Sequence, residues 1–582
     1  MKYSLYKEVI PEYSALEQVL YNRGIPREKQ EEWYNAETLY DWTCLGIDLM
    51  EQACVELINT IDSNGNVCVI VDPDADGYTS AAILINYLFK RFEGWAIEHL
   101  SYVMHTGKQH GFADVMDEIL FMNPQLVIAP DSGSNDIEQH KLLREKGIAS
   151  ICLDHHDYDV SYNETSPCII INIQGIPQYP NKSLTGAGVT YKFICAFEDL
   201  YVHGNQPDEF LDLCAVGNAG DMADLREPEI RALMNIGLKE LKNPFLFQMA
   251  SNNDYSIQKM NGLNYYSVAF YIVPFINAVV RSGTMEEKIA VFSGMITHTA
   301  FEKIETSKRG HKGELVPQYK ESVLVAERVK RRQTKLQDEA MAHFEKRISD
   351  ENLLDNKILL LLCEPGEVDR NIAGLICNKM QAKYQKPAAI LTLGEDGNYS
   401  GSMRNYSLSE RKDLKQDLID TGEIVFCQGH ASAAGLSISA DNIDNFLKVF
   451  NAEYANVEQV PTYHVDYIWN KNSIDAEKIL EIGGFTIYGQ EIPESQIVIE
   501  DICLDPSMVT LMGVDKGHPT LKIHIGNVDV IKFKSNEEEY EKFCQEDMVL
   551  TAVCKCQVNE WNGNVSPQLI IEDYELREEM VF

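Results

Sequence analysis

Three carboxylates stand within five residues in VIVDPDADGYTS, where Asp72, Asp74 and Asp76 alternate directly after an apolar run and Gly77 opens a helical pattern. Charges this close repel one another and lose hydration on burial, so something positive must compensate them. Hard carboxylate oxygens suit Mg²⁺ or Mn²⁺. Taken alone, the segment also reads as a solvated Asp/Gly turn. An EF-hand loop is disfavoured, because counting from Asp72 its twelfth position is Ile83 rather than Glu. Two more apolar runs end in acids: LVIAPDSGS places Asp131 after one, and SICLDHHDYD places Asp154, His155 and His156 after the next. Paired histidines beside carboxylates offer the mixed N/O donors that Mn²⁺ tolerates. GNAGDMADL adds Asp221 in a Gly-rich turn behind the apolar helix LDLCAV.

These residues need elements that bring them together. VCVIV (67–71), QLVIA (125–129), IASICL (148–153) and CIIIN (168–172) read as buried strands, with helical stretches such as SAAILINYLFKRF and IEQHKLLREKG between them. Such alternation predicts an α/β fold with a mostly parallel sheet and helices on both faces. Ligands in such folds sit at the carboxyl ends of the strands, where the acid-rich termini would converge. The segment 318–348 lacks Gly and Pro and is rich in helix formers, so it reads as one long connecting helix. A second α/β segment follows in KILLLLC, RNIAGLICNKMQAKYQ and AAILTL. From about Pro461 come VTLMGV, TLKIHI, VDVIKF, VLTAVCKCQV and QLIIEDYEL, five short strands broken by turn signals such as Asn562-Gly563. They suit a small barrel. The first forty residues read as a helical accessory layer. The expected domains are 1–45, 46–317, the connecting helix 318–350, 351–458 and 459–582.

Composition bounds the partners. Lys plus Arg is 51 against 89 for Asp plus Glu, a net charge of −38. Such a chain should repel nucleic acid unless its bases are gathered. Residues 301–335 gather ten bases against five acids. Arg328, Arg331, Arg332 and Lys335 fall at spacings of three and four on one face of the long helix, while Lys330 points elsewhere. The stripe reads either as a solvated face or as a contact for a phosphate backbone. The amino terminus has no long apolar core, and no run reaches the ~18 apolar residues of a membrane helix. The fourteen cysteines show no Cys-x-x-Cys pair and read as reduced thiols in a cytoplasmic protein.

Asp-x-Asp-x-Asp-Gly, then Asp-Ser-Gly, then Asp-His-His, then Gly-Asp-Met-Ala-Asp-Leu resemble the four ordered motifs of DHH phosphoesterases. Resemblance to the RecJ branch runs along nearly the whole chain, through LEQVLYNRGI (16–25), PFINAVVRSG (274–283), GLICNKMQAKYQKPAAIL, GSMRN (401–405), QGHASAAGLSI (428–438) and NEWNGNVSPQLIIEDYEL. It implies a DHH catalytic domain, a DHH-associated domain and an OB-fold. It implies two divalent ions, Mn²⁺ or Mg²⁺, with Asp74 and Asp76 each holding one and Asp131 bridging. His155 and Asp221 would complete the second site, and His156 would touch the scissile phosphate. Asp72 would be a ligand or a partner of one, and Asp154 would orient the histidines. Arg281, Ser402, Arg404 and His430 would grip phosphates. RecJ proteins usually carry an Arg before a Glu-Gly-Tyr-Gly stretch; here HTGKQHGFADV offers Lys108, a point charge rather than a fork. Arg328 and Arg332 are placed against the passing strand.

The implied activity is hydrolysis of single-stranded DNA, 5′ to 3′ with release of nucleoside monophosphates, in repair or recombination, with RNA a second substrate. A helicase or single-strand-binding protein would be the partner and a monomer the state. Two other readings stay open: a DHH phosphodiesterase for short oligonucleotides or cyclic dinucleotides, and a non-catalytic scaffold.

Overall fold

The structure, a computed structural model, describes residues 1–561 and 563–578; Asn562, of the Asn562-Gly563 turn signal, lies outside them. The chain forms two compact units. One comprises residues 31–335 and 487–492; the other comprises 1–30, 336–486 and 493–582. Among the described residues, no helix is long and apolar enough to cross a membrane.

The first unit is built on a five-stranded parallel sheet in the order Leu100–Met104, Val67–Val71, Leu126–Pro130, Ala149–Asp154, Ile169–Asn172. All five residues of Val67–Val71 are buried, as expected of a strand covered on both faces. One face packs Cys68, Ile70, Val127 and Ala129 against Phe112, Ile119 and Leu143. The four strands expected from the sequence are present, each within a residue or two of its predicted limits. Leu100–Met104 was not among them. Its run LSYVM mixes polar and apolar residues, and it follows the helix Ala75–His99 with no turn residue between.

The helix Gln318–Asp350 is a single element of 33 residues, as its composition predicts. In the second unit a mixed sheet runs in the order Phe426–His430, Ala433–Ser439, Asn398–Arg404, Ala388–Leu393, Leu359–Cys363. Its faces bury separate apolar clusters, one of them closed by Met341, Phe344 and Ile348 of the long helix. The C-terminal strands form one seven-stranded sheet around the core of Ile497, Ile499, Leu521, Val530, Leu550 and Leu569. Here the expected five short strands need correction. Tyr467–Trp469 and Gln496–Cys503 add two, and the closing hairpin pairs strands of 14 and 15 residues.

The amino terminus is a second correction. It opens with a strand, Lys2–Leu5, that pairs in parallel with Thr462–Val465, and only then forms the helix Ala15–Asn22. Residues 1–30 belong to the unit holding the C-terminal sheet rather than forming a separate helical layer. What fastens them is Arg23, whose Nη atoms donate to both oxygens of Asp466 at 2.7 and 2.9 Å. Both side chains are buried, and Asn22 and Ser495 also donate to Asp466 at 2.9 and 2.8 Å. Removing one partner strands the other charge. Asp466→Ala is therefore expected to cost about 3–5 kcal/mol, read as a lower urea midpoint for this unit. A loss of under about 1 kcal/mol, the worth of a surface pair, would contradict this role.

Candidate metal centre

Asp72, Asp131 and Asp154 end or follow three adjacent parallel strands, so the sheet itself gathers them at its carboxyl edge. Asp74 caps the helix Ala75–His99, its carboxylate accepting from Gly77 N at 2.9 Å. Asp76, one turn in, is buried and fully engaged. Its Oδ1 accepts from Thr185 Oγ1 and Ala187 N at 2.9 and 3.0 Å, and its Oδ2 from Gly186 N at 2.7 Å. These donors open the helix Gly186–Phe197, whose positive end favours a carboxylate. Even so, burial and then the charge of Asp74 push the Asp76 carboxyl up to about 6.

Asp131 sits at φ 66°, a left-handed conformation that Asp tolerates, and it is buried. Neither of its carboxylate oxygens has a hydrogen-bond partner, nor has the Nε2 of His155. That Nε2 stands 3.2 Å from Asp131 Oδ1, 3.5 Å from Asp221 Oδ2 and 3.8 Å from Asp76 Oδ2, without hydrogen-bond alignment to Asp131. Burial and then His156 hold the His155 imidazole down at about 4, so it is a neutral donor facing three carboxylates. Buried polar atoms left unpaired on one point are rare, and this set of hard oxygens with one imidazole nitrogen is what Mn²⁺ or Mg²⁺ accepts. The residues present fit such ions.

The histidines are held from behind. Asp154 Oδ1 accepts from the backbone N–H groups of His155 and His156 and meets His156 Nδ1 at 2.8 Å, while Oδ2 accepts from Ser134 N. Burial opposes the charge on Asp154, yet the hydrogen bond and charge of His156 hold it well below the ordinary carboxylate range. Asn172 donates to Ser134 Oγ and His156 O, and Gln174 to His155 O.

His110 joins the centre without having been expected there. Its Nδ1 is hydrogen-bonded to Asp72 Oδ2, and with Asp72 and Asp74 it forms a second group of converging donors. It stands two residues after Lys108 in HTGKQHGFADV, where a second titratable side chain beside a Gly is the signal the sequence offers. Lys108 lies half-buried on this same loop. The loop is pinned by Lys288, whose Nζ donates to the carbonyls of His105 and Thr106 at 3.0 and 2.8 Å.

Arg281 lies in the last turn of Val273–Ser282 and is half-buried. In the second unit, Arg404 and His430 both pair across Ala433 from opposite sides, so the sheet brings them to one end. Ser402 shares the Arg404 strand, and both approach the position a Cβ would take on Gly374, on the helix Arg370–Tyr384. The basic stripe of the long helix has partners within its own unit. Arg332 donates to both oxygens of Glu287 at 3.0 and 2.7 Å and to Ser282 O, and Arg328 donates to Ser307 Oγ with Glu287 at 3.8 Å. Glu287 thus lies beside this face, on which Arg328, Arg331, Arg332 and Lys335 remain exposed. These two guanidiniums brace the long helix.

Family models match three stretches of the chain: the DHH family, N-terminal domain, at residues 66–218; the DHHA1 domain at 355–456; and the RecJ OB domain at 465–573. The chain is 32% identical over 595 aligned residues to the putative SPbeta prophage-derived single-strand DNA-specific exonuclease YorK of Bacillus subtilis (strain 168), covering 100% of both. It is 24% identical to the single-stranded-DNA-specific exonuclease RecJ of the same organism, over 92% of this chain and 64% of that protein. Among solved structures, RecJ from Thermus thermophilus in complex with Mn²⁺ shares the fold at TM-score 0.72 and 18% identity, across 100% of this chain and 80% of that one.

Proposed function

The chain belongs to the RecJ-like branch of the DHH superfamily, and on that premise we propose that it is a single-strand-DNA-specific exonuclease working 5′ to 3′ with two divalent ions. The observation that carries the reading is the pair of orphaned oxygens on buried Asp131 facing the orphaned Nε2 of His155. Asp74, Asp76, Asp131, His155 and Asp221 would hold the ions, with Asp72 and His110 beside them. Bound there, divalent ions supply charge that polarises the scissile phosphate and lowers the pKa of water.

The protein's own groups do the rest. The Thr185–Ala187 donors fix Asp76 in one orientation, so it need not reorganise during reaction. Asp154 takes Nδ1 of His156, so Nε2 is the nitrogen available to a phosphate oxygen. Burial opposes charging this imidazole, but Asp154 outweighs it and holds the pKa up at about 10, making His156 a cationic donor. Lys108, Arg281, Ser402, Arg404 and His430 serve as contacts to phosphates along the strand. A helicase or single-strand-binding protein that presents an unpaired strand is the partner this activity calls for.

The match to the RecJ OB domain and the full-length likeness to YorK favour long single strands over cyclic dinucleotides, since OB barrels track backbones and stack bases. Intact donors favour an enzyme over a scaffold. The test compares initial rates on a single strand and on a blunt duplex of the same sequence. The single strand should be degraded and the duplex left largely intact, with chelation stopping the reaction and Mn²⁺ restoring it. Equal rates on both substrates, or hydrolysis that survives chelation, would contradict the proposal.

A further inference from the structure

Behind the catalytic edge, on the apolar face of the parallel sheet, lies a group the hydrolytic reaction does not use. His140, Cys152 and Cys168 are all buried, and one donor atom from each lies within 4.8 Å of the others. Cys152 Sγ stands 3.4 Å from Cys168 Sγ and 3.6 Å from His140 Nε2. Both separations are shorter than the sum of two zinc–ligand bonds of about 2.0–2.3 Å, so one ion beside Cys152 Sγ is within bonding reach of the other sulfur and of the imidazole. Two sulfurs and an imidazole are a soft donor set, unlike the carboxylates at the strand ends, and soft donors select zinc over Mn²⁺ or Mg²⁺.

Two further features suit an ion. Without an ion, His140 Nε2–H donates to Gly133 O at 2.8 Å and Nδ1 accepts from Ser150 Oγ at 3.2 Å; Ser150 can also accept from a protonated Nδ1, so it can orient the ring in the tautomer a ligating Nε2 requires. An ion on Nε2 replaces the proton shared with Gly133 O and leaves that carbonyl within reach as a fourth donor. The surroundings are dry: the Phe112 ring packs edge-on to His140 at 4.7 Å, and a Cβ on Gly133 would fall 2.7 Å from that ring and 2.8 Å from Cys152 Sγ.

We propose that His140, Cys152 and Cys168 form a structural zinc site, separate in chemistry from the catalytic centre. Zn²⁺ displaces the two thiol protons to solvent, and the imidazole binds neutral through Nε2, its single ring proton moving from Nε2, where it meets Gly133 O, to Nδ1, where it meets Ser150 Oγ. Two thiolates and one Zn²⁺ sum to zero charge, which a buried apolar site accepts. The ion ties the helix Ile137–Glu145 to the strand Ala149–Asp154 and to the segment entering Ile169–Asn172. It lies beneath the loops that carry Asp131 and His155.

The full-length protein, purified with reduced thiols and passed over chelating resin, should retain about one zinc per chain by elemental analysis. Zinc-edge X-ray absorption should report two sulfurs at about 2.3 Å and a nitrogen at about 2.0 Å. That spectrum needs no mutant, so it stands even if a cysteine variant fails to fold. Cys168→Ser should lose the zinc, whereas Asp131→Asn should keep it. A zinc-free protein, a Cys152–Cys168 disulfide, zinc with only nitrogen and oxygen neighbours, or a folded Cys168→Ser protein that keeps its zinc would each overturn the site.

Discussion

Asp131→Asn should lower hydrolysis by roughly three orders of magnitude or more, because it removes the charge from the two unpartnered carboxylate oxygens that would hold the ions. The same variant should be no less stable than wild type in chelator. Asp131 is buried, accepts no hydrogen bond on either oxygen, and burial together with Asp76, Asp74, Asp72 and Asp221 pushes its carboxyl well above the ordinary range. Its charge therefore opposes folding until a cation is present. Wild type should gain thermal stability from Mn²⁺, and the variant should lose most of that gain. Asn is the better replacement, since it also tolerates φ 66°, whereas Ala would add about 1 kcal/mol of backbone strain. Activity above about one tenth of wild type in saturating Mn²⁺ would remove Asp131 from the centre, as would an unchanged Mn²⁺ shift.

Gly186→Ala should be nearly as damaging, although residue 186 bears no side chain and contacts no substrate. A Cβ there would lie 2.4 Å from Asp131 Cβ and 2.5 Å from Asp131 Oδ1, while its own N–H holds Asp76 Oδ2 at 2.7 Å. One methyl group thus presses on two proposed ligands. Displacement of this order at a reacting centre costs about a hundredfold in rate, with about 1–3 kcal/mol of overpacking. Gly94→Ala is the matched control. It is exposed on the helix Ala75–His99 with nothing within 4 Å of its Cβ position, so the extra methyl should leave activity alone. A Gly186→Ala enzyme as active as Gly94→Ala would show that Thr185–Ala187 does not position the centre.

The contrast between these residues explains what the sequence could show. Asp72, Asp131 and Asp154 were legible because each follows a continuous apolar run, and a parallel sheet converts that local pattern into a common edge. Asp221 was legible as the end of an apolar helix. Gly186 was not, because its importance is a close approach between segments more than fifty residues apart. His110 lies on a loop with no periodicity to fix its place, and only the fold carries it to Asp72. Arg328 and Arg332 share one exposed helical face, as their spacing predicts, but spacing alone cannot show that Glu287 lies beside it. Arg23 shows the same limit from the other side. It carried a family resemblance in the sequence, and the structure supplies the reason, a buried pair with Asp466.

Converging carboxylates and histidines should make this chain a metal-dependent exonuclease on single strands. Time-resolved product analysis tests it most directly, using one single strand labelled at its 5′ end and the same strand labelled at its 3′ end, in Mn²⁺. The 5′ label should appear at once as mononucleotide while 3′-labelled strands shorten progressively, and Asp131→Asn should yield neither product. Internal fragments from the earliest times, or mononucleotide still released by Asp131→Asn at the wild-type rate, would contradict it.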